Sequence, residues 1–192
     1  MVMAIRWVVL AMALSCSLAF PQQSQSFFDM WAEETQWAGH TDWVKDRLVA
    51  CQESDPASTQ NPCHQFVAQA LEQIYSVTDF KNGGEYLRPS QIAELVSESA
   101  DWIEIGPASN QQALATAQER ANEGIAVIAV SPVNAALILP GQLIPSGSWE
   151  LEVPNSASFF PWSPRGSYVG RGLSYAWQKT DSVDVKLYNW AR

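Results

Sequence analysis

Cys63 is the residue whose type and position best suit chemistry, because it stands at the start of a predicted amphipathic helix. Asn61 is a favourable N-cap, and Pro62 fits the first helical position. The helix carries apolar residues on the same side as the cysteine, at Val67, Ala70, Leu71 and Ile74. Unpaired N–H groups and the helix dipole at that end favour a thiolate, the nucleophilic form of cysteine. The pattern therefore indicates a candidate nucleophile.

Two other roles for Cys63 fit the same pattern. A cysteine on an apolar helical face is often a small core residue. Cys51 lies a short distance earlier in the chain, and in an oxidising compartment the two residues would form a structural disulfide. A free thiol and a Cys51–Cys63 disulfide both remain open at this point.

Residues 1–19 have the pattern of a secretory signal peptide. Arg6 supplies a short positive region, residues 7–14 form an apolar run too short to span a bilayer, and residues 17–19 give a small-x-small cleavage site. A lipoprotein signal at Cys16 is the weaker interpretation, because Ala13 stands where such signals usually have leucine. We therefore expect a secreted or periplasmic protein, with no membrane span in the mature chain.

The charge and size of the chain exclude several classes of function. The formal net charge is −9, and no basic run is present, so nucleic acid and anionic membranes are poor candidates as partners. Neither a metal-ligand spacing nor a phosphate-binding glycine loop occurs, so we expect no metal and no cofactor. After the signal peptide, the sequence predicts an N-terminal helical segment and loop (20–60) and one domain (61–192).

The order of the predicted elements indicates an α+β fold. Helices are predicted at 61–77, from Ser90 onward, and at 111–122. Strands are predicted at 102–105, 125–130, 135–139 and 149–153, and a strand at 173–177 is predicted to pair with one at 183–188. Helices first and strands last predict N-terminal helices packed on an antiparallel sheet.

Three segments, in order and spacing, resemble the papain-like NlpC/P60 and CHAP superfamily of secreted cell-wall cysteine peptidases and amidases. Residues 63–67 resemble the family's helix start, and residues 124–129 and 134–141 resemble its two core strands. The resemblance implies a papain-like fold and hydrolysis of an amide in peptidoglycan stem peptides. Cys63 would be the nucleophile, and backbone N–H groups at the helix start would contribute to an oxyanion hole.

The sequence departs from the family at the general base, because Ala135 occupies the position of the catalytic histidine. Alanine can neither activate a cysteine nor protonate a leaving amine. Two histidines are present in the sequence. His64, next to Cys63, is expected to point away from the thiol. His40 precedes the cysteine, as in circularly permuted relatives, but no strand is predicted to carry it into the site.

A third polar residue, which orients the histidine in this family, is expected on the following strand. We take Asn155 as the tentative orienting residue, with Glu150, Glu152 and Ser156 as alternatives at similar positions.

Two functions follow. In the first, the protein is an amidase-type protein directed at peptidoglycan peptides, impaired or inactive as a pseudoenzyme or a His→Ala variant. In the second, it is a non-catalytic periplasmic module that binds a peptide or a protein partner and contains a structural Cys51–Cys63 disulfide. The late aromatic residues would then line a ligand groove, unless they only fill the core; they are Phe159, Phe160, Trp162, Tyr168, Tyr175 and Trp177.

Overall fold

The described part of the chain is an α+β structure, as the sequence predicts. It comes from a computed structural model that describes residue 37 and residues 39–58 and 61–191; the predicted signal peptide lies outside these residues. Within them are four α-helices, namely α1 (Thr41–Gln52), α2 (Phe66–Tyr75), α3 (Pro89–Glu98) and α4 (Gln111–Asn122). None of these helices combines the length and apolar character that crossing a bilayer requires.

The strands form one large antiparallel sheet and two small hairpins. In chain order they are β1 (Lys81–Asn82), β2 (Glu85–Tyr86), β3 (Trp102–Pro107), β4 (Val127–Val130), β5 (Ala135–Ile138), β6 (Ile144–Ser146), β7 (Leu151–Val153), β8 (Asn155–Ser158), β9 (Tyr168–Gly172) and β10 (Lys186–Trp190). The sheet has the order β3-β10-β4-β5-β8-β9, while β1 pairs with β2 and β6 pairs with β7.

The predicted helix of Cys63 begins with a tight turn. Pro62–Gln65 form a 3₁₀ turn that continues directly into α2. The side chain of Asn61 caps this turn by accepting a 2.9 Å hydrogen bond from the N–H of Cys63, as the sequence predicts for an asparagine before proline. The helix ends where Ser76 adopts a left-handed conformation, with φ of 58°.

The large sheet is covered on both faces, because side chains alternate along its strands. In β5, Ala135 and Leu137 belong to the core that includes α1, α2 and α3. Ala136 and Ile138 belong to a second core, which includes residues of α4 and of the β6–β7 hairpin. The nearly continuous apolar sequences of β4 and β5 are therefore those of strands buried on both faces.

Two predicted C-terminal strands are wrong in detail. Residues 173–177 do not form a strand: Leu173–Tyr175 is a 3₁₀ turn, which buries Leu173 and leaves Tyr175 exposed. Of the predicted strand at 183–188, residue 183 ends another 3₁₀ turn, and only residues 186–188 belong to the observed strand β10. It pairs with β3 and β4, with Leu187 opposite Ala129, rather than with residues 173–177. Alternation of apolar residues is satisfied equally by one side of a turn and by a strand, which explains the error.

Candidate functional site

Cys63 is held in a disulfide with Cys51. The bond joins the last turn of α1 to the 3₁₀ turn before α2, and the two Cα atoms are 4.9 Å apart. Both residues are buried. The sequence leaves a free thiol and a disulfide open for Cys63, and the structure has the disulfide. A disulfide sulfur carries no thiolate, so Cys63 in this state cannot attack a carbonyl carbon.

Ala135 lies beside Cys63, as the resemblance implies for the family's histidine position. Both residues line the same small cavity, together with Phe66, Ile92 and Phe159 among others, and its volume is about 10 Å³. Such a volume holds at most about one water molecule. The cavity that Cys63 and Ala135 share is therefore closed to a substrate.

The residue opposite Ala135 on the neighbouring strand is aromatic. The register pairs Ala136 with Ser158, so the next pair outward is Ala135 with Phe159. The ring of Phe159 stacks on Phe66, with centroids 3.6 Å apart and an interplanar angle of 5°. The position opposite Ala135 is thus occupied by an apolar side chain. Of the two roles that the sequence leaves open for Phe159, a groove wall or a core residue, the structure has the core residue.

Asn155 does not lie beside Ala135, so it is not placed for the orienting role that the sequence predicts. It stands at the other end of β8, where its Nδ2 donates to the carbonyl of Pro140 at 2.9 Å. The N–H of Asn155 donates to Oε1 of Gln118 at 2.8 Å. Asn155 therefore connects β8 to the end of β5 and to α4.

The other three candidates for the orienting role are engaged elsewhere. Oε2 of Glu150 forms a 2.8 Å ion pair with Lys179 at the surface. Glu152 is exposed on β7, where its backbone N–H donates to Oε1 of Gln111. The hydroxyl of Ser156 donates to the carbonyl of Arg171 at 2.9 Å.

Neither histidine replaces the missing base. His64 lines the small cavity, but burial, together with the nearby charge of Arg88, lowers the pKa of its imidazole. His40 is the N-cap of α1, whereas Cys51 is in the last turn. At 1.5 Å per residue, the two ends are roughly 16 Å apart. The sulfur next to His64 is oxidised, so the imidazole has no thiol to deprotonate.

An open groove with a volume of about 720 Å³ lies beyond the start of β5 and the end of β8. Its aromatic lining is Phe160, Trp162, Tyr175 and Trp177, and its neutral polar lining is Asn134, Ser148, Ser163, Ser174 and Gln178. Phe159 and Tyr168 are buried and do not belong to this lining. The late aromatic residues therefore divide between the core and a groove.

Four aromatic rings form a continuous series along this groove. The ring centroids are 5.6 Å apart for Trp162 and Phe160, 6.1 Å for Phe160 and Tyr168, and 6.0 Å for Tyr168 and Tyr175. The outer two rings are exposed and the inner two are buried. Burial raises the pKa of Tyr168 above the usual range of a tyrosine, so its hydroxyl stays protonated at neutral pH. The exposed rings thus rest on buried ones.

Asn134 is a buried polar residue in the lining of the groove. It is 1% exposed, and its Nδ2 donates to Oγ of Ser158 at 3.1 Å and to the carbonyl of Ala176 at 3.4 Å. These bonds fix which end of the amide is nitrogen. Within the described residues, Oδ1 of Asn134 accepts no hydrogen bond. A buried acceptor without a donor is unusual in a folded protein.

The disulfide supports the wall of this groove. Sγ of Cys51 is 3.1 Å from Oγ of Ser167, and that hydroxyl accepts a 2.8 Å hydrogen bond from the N–H of Phe160. The Nε2 of Gln52 donates to the carbonyl of Ser167 at 3.0 Å. Because a disulfide sulfur has no hydrogen, the hydroxyl of Ser167 is the donor toward Cys51. The disulfide thus holds the segment that carries Phe160 and Trp162.

A second cavity, of about 470 Å³, adjoins the groove on the far side of Trp162. Trp162 and Ser163 line both cavities, and Gln52, Glu53 and Arg165 contribute to the second. The exposed indole therefore stands between two depressions of the same surface. Among residues 39–58 and 61–191, no three acidic, histidine or cysteine side chains are grouped as metal ligands.

The chain matches no protein-family model and no curated protein sequence.

Proposed function

We propose that this protein is an exported, non-catalytic binding module, built on an NlpC/P60-type papain-like fold, that binds fragments of peptidoglycan. The observation that carries the proposal is the state of the Cys63 site. Cys63 is oxidised to a disulfide, and Ala135 and Phe159 line the same small cavity. Amide hydrolysis in this family needs a thiolate, which Cys63 cannot form in the disulfide, and a base, which the alanine at position 135 cannot supply. The imidazole of His64 also lines the cavity, but it has no thiol to deprotonate.

The relation to the NlpC/P60 type is supported by the placement of the matching segments. The helix that starts at Cys63 packs against the strand that starts at Ala135, on one face of an antiparallel sheet. The resemblance requires this pair to meet, although the residues are far apart in sequence. A fold that keeps the arrangement without the reactive groups is what a binding descendant of a hydrolase would retain.

Export is supported by the disulfide as well as by the predicted signal peptide. Disulfides form and persist in secreted and periplasmic proteins and are rare in the cytosol of mesophiles. The Cys51–Cys63 bond is buried, which is typical of a structural role.

Ligand binding is supported by the groove rather than by the former catalytic site. Pockets that bind small molecules have volumes of roughly 300–1,000 Å³ and combine apolar walls with a few polar groups. The groove of about 720 Å³ has this size and this composition, whereas the cavity at Cys63 is about 10 Å³.

Incubating the oxidised mature protein with purified insoluble peptidoglycan tests the proposal. We expect the protein to sediment with the polymer and to release no soluble fragments. The control variant Ile103→Ala should sediment with the polymer like the wild type. Ile103 is an exposed apolar residue on β3, at the opposite edge of the sheet from β9. Hydrolysis that is abolished by Cys63→Ser, or failure to sediment with the polymer, would refute the proposal.

A further inference from the structure

We propose that the groove between Trp162 and Tyr175 binds a neutral oligosaccharide, and that the glycan rather than the peptide is the recognised part of the ligand. This inference rests on the proposed function and specifies its ligand class. It starts from two features: two exposed aromatic side chains and a lining whose polar residues are mostly uncharged.

Exposed apolar surface is concentrated at this groove. Six large hydrophobic side chains are exposed in the described part of the chain, and three of them line the groove: Val133, Trp162 and Tyr175, at 68%, 57% and 62% exposure. Clustered apolar exposure marks a binding site, whereas single exposed residues do not. A pyranose ring presents a flat face of C–H groups, which carry partial positive charge and pack on the negative face of an aromatic ring.

The exposed rings are held in place before any ligand arrives. Trp162 packs on buried Phe160, and Tyr175 packs on buried Tyr168. The guanidinium of Arg171 also lies 5.2 Å from the ring centre of Tyr175. A side chain that is ordered in the free protein loses less conformational entropy on binding. The groove therefore offers two fixed platforms for sugar rings.

The polar lining suits hydroxyl and acetamido groups. Ser148, Ser163 and Ser174 can donate and accept hydrogen bonds, as can the amide of Gln178. Asn134 belongs to the same lining, where its amide is already held by Ser158 and by the carbonyl of Ala176.

The charges of the groove do not favour an anionic ligand. Lys179, one of its two charged residues, is paired with Glu150. The other, Asp181, accepts a hydrogen bond from the hydroxyl of Thr180. The chain as a whole is acidic, with a net charge of −9, which repels anionic polymers.

Extended peptides are less well suited to this surface. A peptide that adds to a sheet needs an edge strand, and no residue of β9 or β3 lines the groove.

The continuation of the groove indicates a chain of sugars rather than one sugar. Trp162 and Ser163 line both the 720 Å³ groove and the adjoining 470 Å³ cavity. An oligosaccharide that crosses the indole of Trp162 would occupy both depressions at once.

Titration of the mature protein with the N-acetylglucosamine tetramer, followed by calorimetry and tryptophan fluorescence, tests this inference. We expect saturable binding that Trp162→Ala and Tyr175→Ala each weaken by about tenfold or more. Trp162→Phe should retain part of the affinity, and Ile103→Ala should retain all of it. Circular dichroism and urea midpoints establish that each variant is folded.

The outcomes separate this inference from the proposed function. If insoluble peptidoglycan is bound but the tetramer neither binds at millimolar concentration nor competes, while a stem peptide does compete, the glycan inference is wrong and the proposed function stands. Tetramer binding that is unchanged in Trp162→Ala and Tyr175→Ala also overturns the inference. If neither the polymer nor the tetramer binds, both proposals fail.

Discussion

At the start of β5 and the end of β8, one side of the sheet is closed and the other is open, although consecutive residues build both sides. Ala135 and Phe159 face the core of α1, α2 and α3, where the space beside Cys63 is about 10 Å³. Asn134 and Phe160, their immediate neighbours, line a groove of about 720 Å³. A shift of one residue along a strand changes the face. The comparison shows that neighbouring residues can line a closed cavity on one face of a sheet and an open groove on the other.

The largest expected difference between the two sides is in stability. Phe159→Ala should lower the free energy of unfolding by about 3–5 kcal/mol, because it removes a fully buried ring and leaves a cavity against Phe66. Trp162→Ala, a truncation on the open side, should cost about 1 kcal/mol or less. Urea denaturation at equal m-values measures both. Equal costs for the two variants would contradict the distinction between a closed and an open side.

Removing the disulfide should have the next largest effect. Cys51→Ser/Cys63→Ser frees a short loop in the unfolded chain, so the free energy of unfolding should fall by about 2–4 kcal/mol. The segment at Ser167 also loses its contact with Cys51, so proteolysis near Trp162 should become faster. The control is the wild-type protein with a reductant, which should approach the double variant. A wild-type midpoint that does not respond to reduction would show that the bond contributes nothing.

Restoring a histidine sharpens the comparison further. Ala135→His places an imidazole where about 10 Å³ is free, so the free energy of unfolding should fall by about 1–3 kcal/mol. We expect no amide hydrolysis while Cys63 remains in the disulfide. Ala57→His, at an exposed alanine, is the control for the added side chain. Peptidoglycan hydrolysis by a stably folded Ala135→His protein would show that the closed side is still competent.

The smallest expected effect is a pH dependence from His64. Burial and the charge of Arg88 lower the pKa of this imidazole in the folded state, so the unfolded chain binds a proton more readily. Stability should therefore fall as the pH drops through about 6.5 and should be recovered at higher pH. His64→Gln should reduce this slope. Urea midpoints at pH 5 and pH 8 measure the difference, and identical slopes for wild type and His64→Gln would exclude this contribution.

Much of the local structure follows from the sequence. Asn61 and Pro62 indicated the start of the Cys63 helix, and the apolar runs indicated β4 and β5 to within about two residues. These signals are local: a cap, a proline and a continuous apolar run each act on neighbouring residues. Cys63 and Ala135 line one cavity, although they are far apart in sequence.

The features that the sequence leaves open or predicts wrongly depend on contacts between distant residues. Periodicity does not determine how α1 packs, so the sequence leaves both a free thiol and the Cys51–Cys63 disulfide open. The prediction of Asn155 as the orienting residue rests on sequence proximity alone, whereas the residue opposite Ala135 depends on the β5–β8 register. The prediction of a strand at 173–177 is wrong because alternation does not distinguish a strand from a turn with one buried side.

The position of β10 in the sheet has a consequence for the order of folding. This strand comes after all the other strands of the described chain, yet it lies between β3 and β4. Its pairing with β3 closes a loop of roughly eighty residues, which is slow because contacts of high sequence separation must form together. During synthesis, the sheet therefore cannot be completed until residues 186–190 have emerged. Until β10 is inserted, the facing edges of β3 and β4 stay unpaired, so the sheet is incomplete for longer than one whose strands pair in sequence.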